Sequence, residues 1–161
     1  MQKLLAAVDF SEITDVLLDQ AARLAKALNA KLWVLHVASD ETQAITYETI
    51  QYSSYSPEFV GLPGDVQLAR DLSAEEIKRE HAHLHAISSK LRSDGIDAQA
   101  ILIKGDPAKL IIEKANDLGV DMIILGSHGH GLLHKALLGS VSESIIRYSH
   151  SNIMIVPTSR D

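Results

Sequence analysis

The residues best suited to chemistry lie in one cluster: Gly126-Ser127-His128-Gly129, nine residues, then Gly139-Ser140-Val141-Ser142. The chemistry they suit is the grip of main-chain amides on a phosphate chain. Gly126 follows a strand-like run, and without a Cβ it lets a ligand come close to the backbone. Gly129 would let the chain turn back over the sheet. Gly139 clears side-chain bulk just before a helical pattern, whose free N–H groups and positive dipole end can receive phosphate. Ser140 and Ser142 would add hydroxyl donors at the same mouth. A plainer account stands beside this one. Ser140-Val141-Ser142-Glu143 has the form of a capping box, which would explain Ser140 with no ligand. Capping does not explain Gly129, Gly139 and a thirteen-residue loop at 126–138 together. On pattern alone, both readings stay open.

Other chemistries fit less well. No Gly-Lys-Ser/Thr triplet exists, so this is not a Walker A loop. The glycines follow the fourth strand-like run and not the first, unlike the dinucleotide fingerprint. Lys135 lies within the loop, where a solvated lysine accounts for it. No Gly-x-Ser-x-Gly elbow is present. Nor is a metal ligand, water-orienting group or charge clamp for phosphoryl transfer legible, so no catalytic residue is assigned. His81 and His85 stand four apart, a chelating spacing, but no third ligand joins them and His83 projects elsewhere. They read as boundary residues of an amphipathic helix, and no metal site is expected.

Composition narrows the partners. Net charge is −6, and the 15 lysines and arginines are scattered, which argues against a nucleic-acid footprint. The absence of cysteine excludes disulfides and thiolate metal sites. Apolar runs such as 31–37 and 122–125 are too short to span a bilayer. The opening Met1-Gln2-Lys3-Leu4 enters a strand-like run without a signal-peptide layout. The expectation is a cytoplasmic protein with neither membrane nor nucleic acid as partner.

The elements that must position the glycines alternate. Strands are expected at 3–8, 31–37, 97–104, 122–125 and 152–156. Helices are expected at 11–28, from a Ser73-Ala74-Glu75-Glu76 capping box to 93, at 107–118, and at 140–149. Leu17, Ala21, Leu24 and Leu28 form the inward stripe of the first helix. Ile77, Leu84, Ile87 and Leu91 form that of the second. Asp106 and Pro107 suit the N-cap and first helical position of the third. Residues 38–70, with three tyrosines and no sustained period, read as a crossover insertion, partly mobile, within one domain spanning 1–161. Right-handed crossovers then imply an α/β fold: one five-stranded parallel sheet with helices on both faces. Ligands on such sheets bind beyond the carboxyl ends of the strands, which nominates the loops at 8–11 and 126–138.

Gly126-x2-Gly129-x9-Gly139-Ser140 resembles the ATP-binding pattern of the universal stress protein family. The likeness extends to Val8-Asp9-Phe10-Ser11, Leu35-His36-Val37, Gly105-Asp106-Pro107 and the closing Asn152-Ile153-Met154-Ile155-Val156-Pro157. It covers nearly all of the chain except 38–70. The resemblance implies a Rossmann-like fold of the adenine nucleotide alpha hydrolase-like kind and a stress-response regulator that binds ATP, ADP or AMP, with Mg2+ as an accompanying ion. Ala7, Val8 and Asp9 would line adenine and ribose, and Val37 would meet the base edge. Leu125, Gly126, Ser127, His128 and Gly129 would wrap the ribose and first phosphate. His130, Gly139, Ser140, Val141 and Ser142 would hold the phosphate tail. Asp9-x-x-Glu12 also has a capping arrangement, so the Asp9 side chain has a structural alternative. The resemblance further implies a homodimer through the strand at 152–156, an edge that needs covering. Two rivals remain open: a nucleotide-independent interaction module and a slow ATP-hydrolysing enzyme.

Overall fold

Near-continuous hydrophobic runs such as Leu32-Trp33-Val34-Leu35 can be satisfied only by burial on both faces of a sheet. The computed structural model of the chain describes residues 1–38, 63–127 and 138–157. In order they form β1 (Lys3–Val8), α1 (Thr14–Leu28), β2 (Lys31–Ala38), α2 (Pro63–Ser93), β3 (Ala98–Lys104), α3 (Pro107–Leu118), β4 (Met122–Gly126), α4 (Ser140–Tyr148) and β5 (Asn152–Val156). All strand pairings are parallel, in the order β3-β2-β1-β4-β5. The expected five-stranded α/β architecture is the one that forms.

The two-residue side-chain period sorts the core into two layers. Leu4, Ala6, Val8, Leu32 and Val34 meet Leu17, Ala21 and Ala25 of α1 and Leu84 and Leu91 of α2. Leu5, Trp33, Leu35, Ile123 and Leu125 meet Ile111 and Ala115 of α3 and Ile145 of α4. Ala25 takes the place expected of Leu28, which is exposed at the end of α1. Gly119 ends α3 in the left-handed conformation at φ 61, returning its N–H to the Ala115 and Asn116 carbonyls.

Strand bounds differ from expectation by no more than a residue, but two helix starts depart from it, and a third helix starts where expected without the capping box offered for it. The first helix begins at Thr14 and not at 11, because Asp9 Oδ1 accepts from Ser11 N at 3.0 Å and Ser11 Oγ at 2.5 Å. That is a turn closed on its own backbone, not a helix cap. The Ser73 capping box does not open a helix, since α2 already runs from Pro63 through Ser73. Gln67, Leu68, Ala69 and Arg70 are good helix formers, and they carry the helix back into the last part of the presumed insertion. The rest of that insertion, 39–62, lies outside the described residues. At α4, Gly139 is the N-cap and Ser140 the first helical residue, so Ser140 is not in the capping-box position.

Candidate functional site

The sheet reverses its winding direction between β1 and β4, the neighbours at its centre. Their paired register runs Leu4↔Met122, Leu5↔Ile123 and Ala6↔Ile124. Pairing on their outer sides continues further, to Val8↔His36 and to Gly126↔Val156. The last residues of β1 and β4 therefore lose each other while keeping their outer partners. A crevice opens there, at the switch point where parallel sheets receive ligands.

Both rims of this crevice are built from residues singled out in the sequence. On one side stand Ala7, Val8 and the Asp9 turn; on the other, Leu125, Gly126 and Ser127. Ala7, Val37, Leu125 and Val141 all belong to the layer beneath α3 and α4. Val8 faces the opposite layer.

The first turn of α4 is tied to the end of β4. Ser142 Oγ donates to the Gly126 carbonyl at 2.9 Å, and Gly139 N donates to the Ser127 carbonyl at 3.0 Å. Ser127 N in turn donates to the Val156 carbonyl at 2.9 Å, extending the pairing of β4 with β5. The first α-helical bond runs from Glu143 N to the Gly139 carbonyl at 2.9 Å. The N–H groups of Ser140, Val141 and Ser142 precede that bond, and helix geometry gives them no acceptor within α4. No side chain of the N-cap residue covers them, Gly139 having none. Gly139 is buried and Ser140 exposed, so the mouth of α4 opens to solvent on one side. Fixed amides and a helix dipole so arranged can hold an anion without a cationic side chain.

Ser142 was expected to turn its hydroxyl to the ligand; its one hydroxyl hydrogen instead goes to the Gly126 carbonyl, and its contribution to the mouth is its backbone N–H. His128, Gly129, His130 and Lys135 lie outside the described residues. Two features of the site region have no local signal in the sequence. Phe10 adopts φ 57, which a periodicity cannot reveal. Thr14 Oγ1, in the first turn of α1, is buried without a hydrogen-bond partner among the described residues.

A separate groove of ≈ 650 Å³ runs along the β3 edge, lined in part by Trp33, His81, His85, Arg92 and Gln99. Both histidines are exposed. Among the described residues no three His, Asp or Glu side chains gather to hold a metal ion. No described helix is long and apolar enough to cross a membrane.

The strand order defines a doubly wound α/β protein with its switch point between β1 and β4. The chain belongs to the universal stress protein family, whose sequence profile matches residues 1–157. It is 32% identical to universal stress protein YxiE of Bacillus subtilis over 156 residues, 96% of this chain and 97% of that one. It is 30% identical to universal stress protein MJ0577 of Methanocaldococcus jannaschii, covering 96% of this chain and 94% of the relative. The solved structure of MJ0577 superposes with a TM-score of 0.75, at 26% identity, over 99% of this chain and 98% of that one. A universal stress protein of Archaeoglobus fulgidus, solved in complex with dAMP, shares the fold with a TM-score of 0.62 at 16% identity, over 96% and 97% of the two chains.

Proposed function

We propose that this protein is an ATP-binding regulator of the stress response that acts in the cytoplasm, its nucleotide lying across the β1/β4 crevice with the phosphates on the first turn of α4. One observation carries the reading: an amide-lined helix mouth, with no side-chain cap from its N-cap Gly139, is hydrogen-bonded to the end of β4 at the switch point. Ala7, Val8 and Asp9 line adenine and ribose, and Val37 offers backbone groups to the base edge. Leu125 to Gly129 wrap the ribose and first phosphate. His130 and residues 139–142 hold the tail. The dAMP complex of the Archaeoglobus relative favours adenine over other bases for a crevice of this family. Mg2+ would arrive on the phosphate oxygens, and no side chain is assigned to it.

The same reading includes a two-fold dimer through β5. This strand lies at the sheet edge, with Ile153, Met154 and Ile155 only half-buried. The helix leading into it leaves Ile146 and Tyr148 exposed. An uncovered apolar edge of this kind invites pairing with its copy. Light scattering at micromolar concentration should give about twice 17.5 kDa; a monomer removes this part.

The nucleotide itself is tested by denaturing purified protein and chromatographing what is released, then by equilibrium dialysis of the emptied protein with labelled ATP. Release of an adenine nucleotide and saturable retention are expected. No release and no retention at millimolar ATP would leave a nucleotide-independent interaction module.

A further inference from the structure

A buried polar group sits directly behind the Asp9 turn. His36, on β2, is 6% exposed and points into the layer beneath α1 and α2. Its Nδ1 lies 2.8 Å from the Val8 carbonyl, the last of β1. A carbonyl only accepts, so Nδ1 carries a hydrogen. Its Nε2 lies 3.2 Å from Glu80 Oε1 on α2. The pair is within ion-pair reach, and Nε2 and Glu80 Oε2 are buried without hydrogen-bond partners among the described residues. Glu80 thus faces the ring on the nitrogen that the Val8 carbonyl leaves unengaged.

The His36 ring also supports Phe10. The two centroids are 4.3 Å apart, and the outer face of Phe10 stacks on His83 of α2 at 4.5 Å and 14°. Phe10 holds φ 57, a conformation that is strained for a bulky residue and persists only when its surroundings over-determine it. Those surroundings are the two imidazoles and the Asp9–Ser11 hydrogen bonds.

We propose that His36, set between the Val8 carbonyl and Glu80, acts with Glu80 as a pair of positioning residues, holding that carbonyl and the strained Phe10 so that the Asp9 turn keeps its place on the crevice rim. The significance for binding rests on the nucleotide reading; the positioning of the turn does not.

Three measurements test it. In 15N-labelled wild-type protein without nucleotide, ring correlations should show His36 Nδ1 protonated; a bare Nδ1 with the hydrogen on Nε2 overturns the proposal. Glu80→Leu, which removes the polar group facing Nε2, should shift the Phe10 and Ser11 amide resonances. Glu80→Gln, which keeps a polar group of the same size beside Nε2, should return them to wild-type positions. Unmoved resonances in Glu80→Leu, in protein that remains folded, overturn the positioning role. In ATP titrations Glu80→Leu should bind roughly two- to thirtyfold more weakly, with Glu80→Gln within about twofold of wild type. Equal affinity of all three proteins overturns the coupling. Failure of the wild type to bind ATP counts against the nucleotide reading alone, since the first two measurements need no ligand.

Discussion

The two helices on the same side of the sheet begin in opposite ways. At α3, Asp106 accepts a hydrogen bond from Lys109 N at 2.9 Å, and Pro107 removes another donor altogether. Its mouth is closed by its own residues. At α4, Gly139 offers no side chain and the next three residues all keep their N–H groups. Instead of a cap, α4 has ties to the end of β4, from Gly139 N and Ser142 Oγ. The contrast teaches that the open mouth is not an incidental shortage of capping residues. The sequence supplies an N-cap and a proline to one helix of the pair, and to the other one backbone and one side-chain tie to the end of β4 beside the switch-point crevice.

Making α4 resemble α3 should have the largest effect. Gly139 has φ −63 and ψ 152, an extended conformation any residue adopts, so Gly139→Asp can place a carboxylate over the first-turn amides. It should keep the unliganded fold and weaken ATP binding by about a hundredfold or more, equivalent to roughly 2.7 kcal/mol or more. A thermal shift measures this: wild type should gain about 5–10 °C at a hundredfold excess of ATP over Kd, and the variant none. An undiminished shift would break the comparison. Ser142→Ala comes next. It leaves the Gly126 carbonyl without that donor and should cost about 1–3 kcal/mol in urea unfolding, with weaker ATP binding because α4 loses a tie to β4. Asp106→Ala should be smallest, costing about 1 kcal/mol of stability with ATP affinity unchanged. A loss of ATP affinity there would mean that the two mouths do not differ as described.

The helix starts also show where sequence reasoning holds and where it fails. Asp106-Pro107 was legible because both signals are local and proline fixes its own backbone. The five-stranded parallel sheet with helices on both faces followed from hydrophobic runs and crossover handedness. Ser73, Asp9 and Ser140 each carried a capping signal that something stronger displaced. Upstream helix formers carried α2 past Ser73. The bonds from Ser11 drew Asp9 into a turn. At α4, Gly139, held by the Ser127 carbonyl, takes the N-cap position in place of Ser140. The glycines of the crevice were legible as a pattern, and the tie between Ser142 and Gly126 was not, because it joins residues sixteen apart whose meeting depends on how α4 docks. His36 and Glu80 are further apart still, and nothing in either's neighbourhood announces the other.

The central claim is tested most directly by following backbone amides in 15N-labelled protein as ATP is added. The account predicts saturable shifts at Ser140, Val141 and Ser142, with Ala108 and Lys109 at the capped mouth of α3 unmoved. Amides of α4 that stay still at millimolar ATP, or that move no more than those of α3, would contradict it.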